Sequence, residues 1–176
     1  MLFSFVVSFA QTEIVALPFG DRWDYNKEGE ELTLLFKLPY FRDLPVFSDG
    51  FEGGRAPFGT GYANLNTYLP TNTDSTETPI TSYYIADETK FLHFSDQIDS
   101  LFVTVRYDDA FVLFVNGVEV ARRNLLPISF SITEATDEQD FVEEKIDITP
   151  FKYLLSPIAY IENTIAVELH TTSGSD

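Results

Sequence analysis

Apolar and polar positions alternate along much of this chain, in short runs separated by turn-forming residues rather than at helical spacing. The clearest run is Phe111-Val-Leu-Phe-Val-Asn-Gly-Val-Glu-Val-Ala121, two strand patterns that meet at Asn116-Gly117. A two-residue type I′ turn needs positive φ at both central positions, and Asn followed by Gly meets that need at least cost. Such a turn sets Val115 opposite Val118, Leu113 opposite Val120 and Phe111 opposite Arg122. One face then carries Phe111, Leu113, Val115, Val118 and Val120, and the other Val112, Phe114, Glu119 and Ala121. Because Val112 and Phe114 are apolar too, the pattern predicts an inner hairpin covered on most of both sides.

The same alternation predicts strands at Ile14–Leu17 (ended by Pro18), Ser82–Ala86, Phe91–Phe94, Leu101–Tyr107, Phe141–Ile148 and Asn163–His170. In the last, Ile165, Val167 and Leu169 share a face. Asp21–Glu31 reads as polar and irregular around Trp23 and Tyr25, and Leu32–Leu38 as a second apolar run. Residues 39–80 are loop-rich, with Gly50, Gly53, Gly54, Gly59 and Gly61 interleaved with Pro45, Pro57 and Pro70. Thr149-Pro150 reads as a helix N-cap with Pro at the first helical position, opening a short turn through Leu155. Many short strands and little helix predict an all-β chain folded as an antiparallel sandwich.

The first ten residues, Met1 to Ala10, are an apolar run ending in Ser8-Phe9-Ala10. They match the apolar core and small-residue cleavage site of a signal peptide without its basic start, leaving 11–176 as a single β-sandwich domain. A buried N-terminal strand is the other reading of that run. It is far shorter than the roughly 20 residues a membrane-spanning helix needs.

Composition agrees with a packed domain: 44% of the 176 residues are hydrophobic and 15% aromatic, too apolar for a disordered chain. The balance of 11 basic against 28 acidic residues gives −17, a charge that repels phosphate backbones and argues against nucleic acid as a partner. It fits a secreted or cell-surface protein. The absence of cysteine excludes disulfides, thiolate catalysis and thiolate metal sites.

Three ordered blocks resemble one family. Asp108-Asp109-Ala-Phe-Val-Leu-Phe-Val-Asn116-Gly117-Val-Glu-Val resembles the central hairpin of galactose-binding-like jelly-roll domains. Ile146-Asp-Ile-Thr-Pro-Phe151 followed by Asn163-Thr-Ile-Ala-Val-Glu-Leu-His170 resembles their C-terminal pattern. Gly54-Arg-Ala-Pro-Phe-Gly59-Thr-Gly61, ahead of Thr81-Ser-Tyr-Tyr84, resembles a loop and strand of the secreted version. The likeness runs from about Val15 to Asp176. It implies an extracellular accessory module found beside catalytic or anchoring domains, some members of which bind carbohydrate. It also implies a structural calcium held through backbone oxygens in many relatives. Ala110 stands where the family has Gly after the acidic pair, and Ser156–Glu162 replaces a shorter glycine-containing loop. Relatives continue past the position of Asp176 into a final strand, so the expectation is a fragment, or a sandwich whose last strand is donated by another chain.

Chemistry-bearing residues are few. Asp108 and Asp109 form an adjacent carboxylate pair, but neighbours on a strand point to opposite faces, which favours a turn role over shared acid–base work. His93 and His170 are the only histidines and lack metal-site spacing. The glycine-rich stretch from Gly50 to Gly61 lacks the lysine and helix of a phosphate loop, and its one cation, Arg55, reads as an internal tie. The acidic run Glu134, Asp137, Glu138, Asp140, Glu143 and Glu144 lacks a calcium-loop arrangement and reads as a solvated loop.

Loop aromatics are the best ligand candidates, since sugar rings stack on aromatic faces while nearby polar groups bond the hydroxyls. Trp23, Tyr25, Tyr62 and Tyr68, with Arg55, Asp108 and Asp109, are therefore the candidate ligand-binding set. No catalytic residue and no required cofactor is expected. The leading expectation is a non-catalytic extracellular module that binds glycan or mediates surface contacts. The alternatives are the accessory part of a hydrolase or phosphoesterase whose catalytic part lies downstream, and an assembly module completed by a neighbouring chain's strand.

Overall fold

The computed structural model describes residues 2–9, 12–32, 34–39, 41, 50–59, 64–69, 81–86, 98–138, 141–156 and 163–172. The expected strand Phe91–Phe94 lies outside them. The first strands are β1 Leu2–Phe9, β2 Thr12–Leu17, β3 Arg22–Asn26, β4 Glu52–Arg55, β5 Phe58–Gly59 and β6 Thr67–Tyr68. They are followed by β7 Thr81–Ala86, β8 Ser100–Tyr107, β9 Ala110–Val115, β10 Val118–Arg123, β11 Val142–Asp147 and β12 Ile165–His170. Two 3₁₀ turns, η1 Leu34–Lys37 and η2 Thr149–Leu154, complete the described elements.

The strands form an antiparallel sandwich. A four-stranded sheet runs β11-β8-β1-β2, a six-stranded sheet β10-β9-β12-β7-β3-β4, and β5–β6 make a short parallel pair. Strand β8 shows how the sequence drives this: its residues alternate half-buried and buried, sending Leu101, Val103, Val105 and Tyr107 into the core shared with Phe111, Leu113 and Val115. Fully burying each such side chain is worth about 1.5–3 kcal/mol. The six-stranded sheet is buried on its outer face too, where Val112, Phe114, Tyr83 and Ile85 pack with Phe36 of η1, Phe41, Leu125 and Ala135. Every residue of β9 is consequently buried.

The hairpin forms at the expected turn, with φ of 48° at Asn116 and 84° at Gly117. A Cβ at Gly117 would stand 2.6 Å from Leu38 Cδ2, so a side chain there would have to displace the partly exposed Leu38. Beyond the turn the expected register fails. Val115 faces Val118 and Phe114 faces Glu119, but a bulge then sets Leu113 opposite Ala121 and Phe111 opposite Arg123. One extra residue on β10 lets Val120 and Ala121 both join the inner core. Val118 is left 42% exposed. Among the described strands only β9 of the hairpin is flanked on both sides, and β10 is a sheet edge.

Three further expectations change. Arg22–Asn26, read as irregular, is strand β3, because its ladders to β4 and β7 take up its backbone groups and bury Trp23 to Asn26. Its partner β4 is hidden in Glu-Gly-Gly-Arg: a Cβ at Gly54 would meet Phe58 and Thr67 at 2.8 Å, so close packing selects Gly against strand propensity. The helix cap at Thr149 is absent: its hydroxyl instead accepts the Leu101 N–H at 2.8 Å, and η2 begins at Thr149 itself. At the N-terminus, Leu2–Phe9 pairs with β8 on one side and β2 on the other.

Candidate functional site

Five of the seven candidate ligand-binding side chains, Trp23, Tyr25, Arg55, Asp108 and Asp109, are among the described residues. Trp23 and Tyr25 are 1% and 5% exposed and belong to the core, Tyr25 packing against Phe58 and Tyr84. Their ring faces are closed to a sugar. The Tyr25 hydroxyl reaches the surface, donating to Glu52 Oε2 at 2.8 Å, while Lys27 pairs with the other oxygen of Glu52 at 3.2 Å. Burial, reinforced by Glu52, pushes the Tyr25 phenol up to about 12. The bonds from Tyr25 and then Lys27 hold the Glu52 carboxyl below its ordinary value. Arg55 is exposed and donates to the Gly20 carbonyl at 3.2 Å, the tie expected of it. Tyr62 lies outside the described residues, and of Tyr68 only the backbone, in β6, is described.

Asp108 and Asp109 form the turn between β8 and β9. The left-handed residue is Asp109, with φ of 60°, so Ala110 needs no glycine-like backbone. Asp109 is 1% exposed, and its Oδ2 accepts the Thr172 N–H at 2.7 Å and hydroxyl at 3.1 Å. The Asn124 amide donates to its carbonyl at 2.8 Å. Turn geometry and strand-end anchoring account for Asp109, while Asp108 is half-buried beside it.

This end of the sandwich carries a feature the sequence reading passed over. Residues 124–136 leave β10 and return, closed by Thr136 N–H donating to the Asn124 carbonyl at 2.8 Å. Arg122, held by two bonds to Glu119 of 2.9 and 2.8 Å, donates to the Leu126 carbonyl and to Ser129 Oγ. The Ser131 N–H donates to Glu31 Oε2 at 2.5 Å, and Ala135 N–H to the Thr171 carbonyl at 3.2 Å. Leu125 and Ala135 are buried in the outer core. Between them every second side chain faces solvent: Leu126 is 58% exposed, Ile128 75%, Phe130 60% and Ile132 78%. Periodicity hid this, since apolar residues at every second position predict a buried strand face.

His170 sits beneath this loop, 1% exposed. Its Nδ1 lies 2.9 Å from Thr81 Oγ1 and 2.8 Å from the Thr133 carbonyl. The Thr81 hydroxyl donates its own proton to the Ser131 carbonyl at 2.6 Å, so both neighbours of Nδ1 act as acceptors there. Nδ1 therefore acts as the donor to these acceptors. Nε2 makes no hydrogen bond and lies 3.8 Å from Glu168 Oε2. His170 is a packing residue that ties β12 and β7 to the loop.

The acidic run divides. Glu144 grips Arg123 through two bonds of 2.8 and 2.5 Å, joining β11 and β10, the edge strands of opposite sheets. That carboxylate holds the Arg123 guanidinium above its ordinary pKa. Glu143 pairs with Arg106 across the β11–β8 ladder. Glu134, Asp137 and Glu138 stay exposed beside the apolar loop. Among the described residues no three carboxylate or imidazole groups are gathered to hold a metal ion, and no helix is long and apolar enough to cross a membrane. Comparison with family models, with curated proteins and with solved structures finds no match.

Proposed function

We propose that the chain is a non-catalytic accessory module of the galactose-binding-like jelly-roll kind, placed outside the cell, which works by holding a surface rather than by transforming a substrate. The observation that supports this reading is the 124–136 loop, whose backbone is tied to β7, β10 and β12 while four large apolar side chains face solvent. Several exposed apolar side chains grouped on one ordered loop, unlike singly scattered ones, point to a contact site. The charged groups around it serve the scaffold: Asp109 holds Thr172, Glu144 holds Arg123, and Arg122 holds the loop.

Carbohydrate is the ligand class the family resemblance favours. With Trp23 and Tyr25 in the core, stacking on a sugar falls to Tyr62 and Tyr68. A glycan array run with calcium present tests this half. Binding that Tyr62→Ala or Tyr68→Ala abolishes supports it, and silence across the array removes it. Turnover of glycoside, ester or phosphate-ester substrates above a buffer blank contradicts the non-catalytic reading.

A further inference from the structure

Resting on the contact reading above, we infer that the 124–136 loop docks a protein surface that is apolar at its centre and rimmed by lysine or arginine. The apolar side comes from Leu126, Ile128, Phe130 and Ile132, each more than half exposed. Their display is built in. The turn at Phe130–Thr133 is closed by two bonds, Thr133 N–H to the Phe130 carbonyl at 2.8 Å and Phe130 N–H to Thr133 Oγ1 at 2.7 Å. Glu31, Thr81 and His170 hold it from below. A loop ordered before binding loses little conformational freedom when a partner arrives.

Charge selects the partner. Residues 124–138 contain no lysine or arginine and three carboxylates, Glu134, Asp137 and Glu138, a formal charge of 0 − 3 = −3. A basic rim complements that strip and steers encounter. A second copy brings the same strip and the same net −17 into the contact, which opposes pairing. Anionic lipid headgroups are repelled for the same reason.

The test uses a synthetic amphipathic peptide of leucine and lysine as the probe, with a leucine–glutamate peptide, phosphatidylcholine vesicles with and without phosphatidylserine, and sedimentation of the chain alone as comparison arms. The full chain is compared with an Ile128→Ser/Phe130→Ser/Ile132→Ser variant, whose three positions are exposed, and a matching melting temperature confirms its fold. A Glu134→Gln/Glu138→Gln variant tests the rim. The expected result is binding of the lysine peptide alone, weakened about ten-fold or more by the serine substitutions, as when an apolar anchor is lost. Its salt dependence falls in the glutamine variant. Equal binding by the full chain and the serine variant, or no binding, overturns the inference. So does loop-dependent self-association or vesicle binding, although the contact reading survives either of those. A positive glycan array beside a silent peptide keeps the module reading and discards the loop as its site.

Discussion

Asn116 joins two roles that a substitution series separates. It occupies the left-handed region at φ 48°, and its side chain brackets two other segments. The amide nitrogen donates to the Leu154 carbonyl and to Asn163 Oδ1, both at 2.8 Å, and Oδ1 accepts the Thr164 N–H at 2.7 Å. Asn163 is 2% exposed and also accepts the Ser156 N–H, so the bracket fastens η2 and the start of β12 to the hairpin. Each part-buried bond is worth about 1 kcal/mol net. Asn116→Gly keeps the turn and loses all three, a cost of about 3 kcal/mol. Asn116→Ala loses the same bonds and adds about 1 kcal/mol for a Cβ in the left-handed region. Asn116→Asp keeps the Thr164 bond but sets a carboxylate oxygen against two acceptors, so it is at least as damaging as Gly. Urea unfolding followed through Trp23, the single tryptophan and 1% exposed, reads these differences. With a slope of about 2 kcal/mol per molar, the Gly variant's midpoint falls by about 1.5 M. An unchanged Gly midpoint shows that turn geometry is all Asn116 supplies. Equal Gly and Ala midpoints show that the left-handed backbone carries no penalty.

Arg123→Lys replaces a two-pronged grip on Glu144 with a point charge and lowers stability by about 1 kcal/mol in the same unfolding assay, the two groups being one-third exposed. Glu144→Gln adds little further loss on top of Arg123→Lys, and independent, additive losses contradict the clamp. Starting the chain at Gln11 removes the only strand that β2 pairs with among those described and bares one side of β8. The shortened chain is expected to lose its cooperative unfolding transition, and native-like melting shows that the sandwich closes without β1. Burial holds the Tyr25 and Tyr84 phenols up to about 12 against an ordinary value of 10. A raised folded pKa means that stability is complete below pH 10 and lost as pH rises toward 12, because the unfolded chain releases the protons first. Phenolate absorbance of these tyrosines is expected to rise together with unfolding, and independent titration near pH 10 contradicts their burial.

Alternation made β7, β8, β9, β11 and β12 legible, because each turns at least one face wholly or partly into the core and apolar residues mark it. Asn116-Gly117 located the turn for the same physical reason it forms. Register past that turn was not legible, since nothing in Val118-Glu-Val-Ala reports a bulge that depends on packing against the opposite sheet. Strand β4 was hidden because Gly53 and Gly54 answer to Arg22, Phe58 and Thr67, neighbours distant in sequence or revealed by folding. Trp23 and Tyr25 seemed open because they alternate with the polar Asp24 and Asn26, yet all four are buried where β3 lies inside the sheet. The apolar loop was missed for the opposite reason: Leu126, Ile128, Phe130 and Ile132 have a core pattern and lie outside the core.

The central claim is that this loop is held rigid while its apolar side chains face water. Amide hydrogen exchange of the native chain tests it directly. Ser131, Thr133, Ala135 and Thr136, whose N–H groups donate to Glu31, Phe130, Thr171 and Asn124, are expected to exchange as slowly as amides at the strand ends. Exchange at the rate of an unstructured peptide across 126–136 contradicts a preformed contact surface.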